Sequence, residues 1–120
     1  MRSERRSRCP ISCLLEIVGD RWTLLVVRDL MCGKRRYTEL QASLEGIPTN
    51  ILADRLKRLC AKGLVRSRRY NAHPPRAEYE LTAKGEALWP IMREMADWGV
   101  RHAGGARHHL LVGYTPPPRP

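Results

Sequence analysis

The fold of this chain is decided by Tyr37–Leu81, which reads YTELQASLEGIPTNILADRLKRLCAKGLVRSRRYNAHPPRAEYEL. Within this stretch, Thr38–Leu44 predicts a short amphipathic helix, capped by Thr38 with a glutamine three residues on, the spacing of a capping box. A Gly-Ile-Pro-Thr break follows. The next helix is predicted over Asn50–Lys62, and Gly63 ends it.

A basic hairpin comes after the second helix. Val65–Tyr70 and Glu78–Leu81 predict two strands around a Pro74-Pro75 tip. Helix, turn, basic helix and basic hairpin is the order of a winged helix-turn-helix, which presents one helix to the DNA major groove and a ribbon to the flanking backbone. The sequence therefore predicts a mainly α fold with a small β-hairpin wing, in the α+β class.

The second helix separates into two faces when its residues are placed at helical intervals. An apolar face suited to packing contains Leu52, Leu56, Leu59 and Cys60. A polar face, free to enter a groove, contains Asn50, Asp54, Lys57 and Arg58. Ile51 and Arg55 lie at the border between them.

The remaining sequence divides into an arm, a helical frame and a tail. Residues 1–8 predict a disordered basic arm, residues 9–103 the winged helix-turn-helix domain, and residues 104–120 a flexible Pro-rich tail.

Helices are predicted on both sides of the central stretch. Ile11–Val18 predicts a short helix, and Arg21–Met31 a largely buried one with Asp20 as its N-cap. Lys34–Tyr37 predicts an extended piece. A final helix, N-capped by Thr82, is predicted to run to about residue 102 and to kink at residue 90, a proline.

The final helix carries an apolar seam. Leu88, Ile91, Met95 and Trp98 recur at the spacing of a helix–helix contact.

The composition indicates one basic domain. Over 120 residues, 22 Lys and Arg against 12 Asp and Glu leave a formal charge of +10, which attracts polyanions. The alternatives are a solvated surface or a genome rich in arginine codons. No apolar run reaches the roughly 20 residues of a membrane span, and the basic N-terminus lacks the apolar region of a secretory signal. We therefore expect no membrane partner.

The cysteines favour a reducing compartment, hence the cytoplasm. The four cysteines form no Cys-x-x-Cys pair, and Cys32 and Cys60 lie in apolar helical patterns where a thiol packs as a small hydrophobe. The sequence also lacks a phosphate-binding glycine loop, a His-Glu-x-x-His motif and a nucleophile elbow, so no enzyme is predicted.

Residues predicted to contact bases lie at the second helix. Thr49 and Asn50 open it, and Asn50 can pair with adenine while Arg55 can pair with guanine. The alternatives are that Thr49 only caps the helix, that Asn50 is solvated, and that Arg55 pairs with Asp54 or Glu45.

Backbone contacts are predicted around the first helix and the wing. Arg35, Arg36 and Thr38 suit phosphate at a helix start, the alternative being a solvated loop. Strand alternation turns some wing arginines towards the protein, and Arg76 could pair with Glu78. The predicted DNA-contacting residues are Arg35, Arg36, Thr38, Thr49, Asn50, Arg55, Arg58, Arg69, His73 and Arg76.

One thiol is placed for reactivity. Cys9 precedes a helix start and follows an arginine-rich run, and both features lower a thiol pKa. Cys9 is therefore a predicted redox-sensing residue, with Cys13 one turn on as a resolving or packing thiol. The alternative is an inert Cys9. Neither cysteine forms a standard zinc pattern with the tail histidines, and no metal or cofactor is predicted.

Several short motifs occur together: Cys9-Pro10, Gly19-Asp-Arg-Trp-Thr-Leu-Leu, Arg36-Tyr-Thr-Glu-Leu, Gly46-Ile-Pro-Thr-Asn-Ile-Leu-Ala-Asp-Arg-Leu, Gly63-Leu-Val, Pro74-Pro-Arg-Ala-Glu-Tyr-Glu-Leu-Thr and Ala96-Asp-Trp-Gly. In this order and spacing they resemble the HxlR family of bacterial transcription regulators, within the MarR-like winged-helix group. The resemblance covers about Cys9–Gly99.

This resemblance implies a cytoplasmic, homodimeric regulator without enzymatic activity that binds double-stranded DNA at an inverted repeat. Family dimers join through their N- and C-terminal helices, which implies the interface residues Leu14, Leu88, Ile91, Met95 and Trp98. Some members carry a redox-active cysteine at the position of Cys9, and others respond to small ligands, so an oxidant or a small-molecule effector is implied.

The sequence-based interpretation is thus a dimeric, sequence-specific transcription regulator, a repressor, switched by thiol oxidation or a small ligand. The alternatives are a sequence-nonspecific basic nucleic-acid-binding protein, whose affinity would depend on salt but hardly on sequence, and a protein that serves primarily as a redox or ligand sensor.

Overall fold

The computed structural model of the chain describes residues 8–44, 46–72 and 75–106. In chain order, its elements are α1 (Pro10–Val18), α2 (Thr23–Met31), α3 (Tyr37–Ser43), α4 (Thr49–Ala61), β1 (Val65–Ala72), β2 (Pro75–Leu81), α5 (Ala83–Glu86) and α6 (Trp89–His102). The predicted mainly α architecture with a two-stranded wing is confirmed. Most of the predicted arm and tail, and the predicted contact residue His73, lie outside the described residues.

The core is built around the apolar face of α4. Leu52, Leu56 and Leu59 are buried, as their helical spacing predicts, and they join Leu40 of α3 and Val26 of α2 among the fully buried side chains. α2 and β1 pack against α4, and the polar side chains Asn50, Asp54 and Lys57 on its other side stay exposed.

The wing is an antiparallel hairpin. β1 pairs with β2 from Val65 opposite Leu81 to Ala72 opposite Pro75, with a register shift between Arg69 and Asn71. Both strands extend further towards the tip than the sequence pattern indicates. The predicted extended piece before α3 contributes a single bridge, in which Arg36 lies opposite Glu78. This bridge attaches the wing to the start of α3.

Two helix starts differ from prediction because of capping. α2 begins two residues later than expected, since the Asp20 carboxylate accepts hydrogen bonds from the N–H of Trp22 at 2.8 Å and Thr23 at 3.0 Å across a turn. Thr38 does not cap α3, which begins one residue before it. There, the Glu39 carboxylate folds back to accept from the N–H of Arg35 and Arg36, each at 2.9 Å.

The predicted final helix is two helices. Its N-cap is confirmed, because the Thr82 hydroxyl accepts a hydrogen bond from the N–H of Gly85 at 3.3 Å. The chain leaves the helical ladder after α5, and Pro90 is the second residue of α6. A proline in the first turn has no hydrogen bond to lose, so it begins a helix here and does not kink one.

Leu88 and Cys32 occupy environments other than those that the sequence predicts. Leu88 is only 6% exposed and packs in the core of its own chain, because it occupies the turn between α5 and α6. It is therefore not part of the exposed seam of α6. Cys32, predicted to pack, is exposed because it follows the last turn of α2, beside the positive-φ turn at Gly33.

Candidate nucleic-acid interface

The start of α4 is held open to solvent. Pro48 precedes the helix in extended conformation, and Thr49 is the first helical residue, so the alternative in which Thr49 serves as the N-cap is wrong. The Tyr37 hydroxyl donates a hydrogen bond to the Thr49 carbonyl oxygen at 2.8 Å, which joins the starts of α3 and α4. Thr49, Asn50 and Lys57 are exposed along the outer face of α4.

A groove separates the start of α3 from the wing. Its cavity volume is about 440 Å³. We call it the cationic groove, and it is lined by Arg36, Tyr37, Thr38, Arg69, Tyr70, Arg76, Ala77 and Tyr79. It brings together four of the predicted DNA-contacting residues from two separate segments of the chain.

Ion pairs order part of the arginine cluster around the groove. The Arg36 guanidinium lies 4.5 Å from the centre of the Tyr70 ring, and its Nε is 3.5 Å from a Glu78 oxygen. Arg35 approaches Glu80 at 3.4 Å. Within the described residues, Glu78 pairs with Arg36 and Arg68 and not with Arg76, so the expected Arg76–Glu78 pair is not formed.

The groove region keeps an excess of positive charge. Glu80 accepts from Arg66 at 2.8 Å, and this hydrogen bond, with the charge of Arg66, lowers the pKa of the Glu80 carboxyl. Arg69 and Arg76 are exposed. Six arginines and three glutamates lie around this surface, leaving three positive charges: Arg35, Arg36, Arg66, Arg68, Arg69 and Arg76 against Glu39, Glu78 and Glu80. Such a surface attracts a polyanion.

Two predicted contact residues of α4 have partners in the protein. The Arg55 side chain is only 16% exposed and pairs with Asp20 at 3.1 Å and with Asp54. The structure thus favours the alternative of an intramolecular ion pair for Arg55, although Asp20 is not a partner that the sequence pattern predicts. Arg58 is half-exposed and lies 4.0 Å from Asp54.

Cys9 occupies the N-cap position of α1 and is exposed. Hydrogen bonds from the backbone N–H groups of Ser12 and Ile11 lower the pKa of its thiol. The predicted direction of this shift is confirmed, and its physical cause is the helix start. Cys13 lies one turn on and half-buried, and its N–H donates to the Cys9 carbonyl oxygen at 2.9 Å.

Exposed apolar side chains also occur on the first and last helices of the described chain. Large apolar side chains are exposed on α1 and on α6, including Trp98 at 62%, and we call this set the apolar surface: Ile11, Leu15, Ile91, Met95 and Trp98. Leu14, also predicted at an interface, is half-buried against the core. In the described ranges, no helix has the length and apolar content to cross a membrane.

Sequence reasoning missed three residues that shape the interface. Asp20, Tyr37 and Tyr70 each act on a predicted contact residue, through an ion pair, a hydrogen bond or a ring contact. Only the tyrosines carried a signal, since aromatic side chains among arginines are frequent on nucleic-acid-binding surfaces.

The sequence matches the HxlR-like helix-turn-helix family over residues 17–106. It is 36% identical over 99 residues to the uncharacterized HTH-type transcriptional regulator YkvN of Bacillus subtilis (strain 168), covering 82% of this chain and 84% of YkvN.

Two solved structures share the fold. A protein assigned to the MarR family of transcriptional regulators, from Porphyromonas gingivalis W83, superposes with a TM-score of 0.72 at 38% identity, covering 84% of this chain and 99% of that one. The redox regulator HypR in its reduced form superposes with a TM-score of 0.72 at 32% identity, covering 77% of this chain and 91% of HypR.

Proposed function

This chain belongs to the HxlR-like helix-turn-helix family of transcriptional regulators, which are not enzymes, and from that premise we propose that it is a dimeric repressor of an inverted-repeat operator. In this proposal, α4 is the recognition helix that reads each half-site, and the wing binds the flanking backbone. The regulator acts in the cytoplasm, where its DNA is.

The observation that carries the proposal is the exposed start of α4 beside the cationic groove. Residues at the start of a recognition helix reach base edges, and Asn50 has the donor and acceptor to pair with adenine. Arg69 and Arg76 line the groove, and in this proposal they contact phosphates of the same duplex, which fixes the orientation of the protein. Thr38 and Arg36 supply further donors on the opposite wall.

The apolar surface supports the dimer. Ile91, Met95 and Trp98 lie exposed on one stripe of α6, and single chains rarely leave such side chains grouped in water. A two-fold axis through this surface would present two copies of α4 to the DNA. A two-fold protein matches an operator whose half-sites are inverted repeats.

The experiment begins with selection of bound duplexes from a random pool by the purified protein, followed by binding titrations against the enriched and a scrambled duplex. We expect the enriched sequence to be an inverted repeat. Asn50→Ala should weaken binding to that operator by about tenfold, the scale of one bidentate base contact, and leave the scrambled duplex unaffected. Unchanged operator affinity in this variant would contradict the role of α4.

Arginine variants separate phosphate contacts from general charge. Arg76→Ala should weaken binding to both duplexes and reduce the slope of log affinity against log salt by about 1. Arg93→Ala is the matched control, because Arg93 is an exposed arginine on α6. Equal binding of the wild-type protein to both duplexes would favour a sequence-nonspecific nucleic-acid binder.

Regulation by thiol oxidation is a second function, and the placement of Cys9 favours it. A thiol at a helix start with a lowered pKa has more of the reactive thiolate at neutral pH. HypR, which shares this fold, is a redox regulator. In this proposal, an oxidant such as diamide takes two electrons and two protons from the Cys9 thiol and a second thiol of the dimer, and the disulfide that they form reorients α1 and releases the operator.

Cysteine variants test this switch. Cys9→Ser should keep operator binding but lose its release by diamide, with release in the wild type reversed by dithiothreitol. Cys32→Ser is the matched control. Cys32 is also exposed, but partial desolvation of its thiol and the nearby Asp29 carboxylate raise the pKa of the thiol. Release by diamide that persists in Cys9→Ser would contradict the role of Cys9, whereas a wild-type protein that stays on its operator in diamide would point to a small-ligand effector.

A further inference from the structure

The position of Arg55 on α4 conflicts with a role in reading DNA. At about 100° per residue, Asn50 and Lys57 project within about 20° of each other, while Arg55 projects about 140° from Asn50. Leu59 lies only about 40° beyond Arg55, at the near edge of the packed face. Arg55 therefore leaves the helix at the border of its packed face, in keeping with its low exposure.

The partner of Arg55 belongs to a different element. Arg55 Nε lies 3.1 Å from Oδ1 of Asp20, in the turn between α1 and α2. The same carboxylate accepts hydrogen bonds from the N–H of Trp22 and Thr23 and from the Thr23 hydroxyl. Asp20 is thus held by the first turn of α2 and has little freedom to follow α4.

Partial burial acts to raise the pKa of Asp20, but the hydrogen bonds from Thr23 and Trp22, with the adjacent Arg55 guanidinium, outweigh it and lower the pKa to about 2. Asp20 is therefore ionised at neutral pH, and its charge is available to Arg55.

We propose that Arg55 is a positioning residue, which fixes the rotation of α4 by its ion pair with Asp20 and does not itself contact DNA. This inference rests on the proposed function of α4 as the recognition helix. α4 is then attached at two points. Tyr37 holds the Thr49 carbonyl at its start, and Asp20 holds Arg55 near its middle. Rotation of α4 would move Asn50 and Lys57 together relative to the wing.

Removing the charge of either Asp20 or Arg55 distinguishes a positioning role of Arg55 from direct contact with DNA. If Arg55 positions α4, Asp20→Asn and Arg55→Gln should each weaken operator binding by about tenfold, and the double variant should be no weaker than either single one, because coupled residues are not additive. The salt slope and the affinity for scrambled DNA should stay unchanged.

If Arg55 contacts DNA, Asp20→Asn would release it and preserve or strengthen binding, while Arg55→Gln would weaken binding and reduce the slope by about 1. That pattern would overturn the proposal.

Controls separate positioning from loss of fold. Asp97→Asn is the matched substitution, because Asp97 pairs with Arg101 on the surface of α6 at 3.7 Å, and it should leave specificity unchanged. Arg55→Lys keeps the charge without the planar guanidinium and should show an intermediate loss. Circular dichroism checks that the helices of each variant are intact. If Arg55→Gln loses the helical signal of the wild type, Arg55→Lys takes its place in the comparison.

A measurement without DNA completes the test. Hydrogen exchange of the α4 amides should accelerate in both Asp20→Asn and Arg55→Gln and remain unchanged in Asp97→Asn. Unchanged exchange in the two variants would overturn the positioning role. A wild-type protein that cannot discriminate the enriched from the scrambled duplex would instead overturn the proposed function, while the exchange rates would still decide whether Asp20 holds Arg55.

Discussion

The stability of the folded chain at acid pH depends on the ionisation of one side chain, Asp20. Its pKa in the folded chain is about 2, below the ordinary value of 3.8, because its hydrogen bonds favour the carboxylate. The folded state therefore binds this proton less readily than the unfolded state. The stabilisation by Asp20 is complete above pH 3.8 and is lost as the pH falls towards 2.

We expect the free energy of unfolding of the wild type to fall more steeply than that of Asp20→Asn between about pH 4.5 and about pH 2.5, because this carboxyl titrates in that range. Urea unfolding at several pH values measures the difference. Asp97→Asn provides the control for loss of a surface carboxylate. Parallel pH profiles for Asp20→Asn and the wild type would show that the carboxylate contributes no stabilisation.

At the scale of elements, α5 depends on close approach to the beginning of the wing. A Cβ on Gly85 would overlap the Leu64 carbonyl oxygen and lie 2.8 Å from Leu81 Cδ2. The Thr82 N–H also donates to that carbonyl at 3.0 Å, so the start of α5 lies directly against the residue that precedes β1. Only glycine allows this packing.

Gly85→Ala should therefore destabilise the fold by about 1–3 kcal/mol, the range for overpacked interiors. Gly99→Ala is the matched control, because a Cβ there meets nothing within 4 Å. It should stabilise α6 by about 0.5–1 kcal/mol through helix propensity. Urea unfolding of both variants checks the contrast, and equal effects at the two positions would contradict the packing at Gly85.

The difference between predicted and observed elements also lies at this scale. Thr82 and Gly63 mark helix boundaries, as their residue types predict. Thr38 is not the cap of α3, because the helix already begins at Tyr37, with Arg36 at the N-cap position and its N–H bonded to the Glu39 carboxylate. Local sequence patterns identify the residues that could cap a helix, and the course of the backbone determines which of them does.

At the scale of the whole molecule, the apolar surface consists of large side chains on α1 and α6 that the single chain leaves exposed to solvent. Exposed tryptophan, methionine and isoleucine side chains together favour association with a second copy. We expect Trp98→Glu to convert the proposed dimer to a monomer, because a carboxylate buried in that interface without a partner is costly.

Size-exclusion chromatography with light scattering measures this change in mass. Ala42→Glu adds the same charge to an exposed position on α3 and should leave the dimer intact. Because each monomer carries one recognition helix, Trp98→Glu should also weaken binding to the full operator more than binding to a half-site. A wild-type monomer, or a Trp98→Glu dimer, would contradict the assignment of this surface.

The order of the elements, the apolar face of α4, the basic wing and the family all follow from the amino-acid sequence alone. These features depend on residues close together in the chain, where periodicity and turn chemistry are decisive. The packing of the folded chain adds that Arg55 faces Asp20, that Leu88 serves the core and that Arg36 stacks on Tyr70. Each of these contacts joins separate elements, and a pattern of neighbouring residues does not specify the distance across which two elements meet.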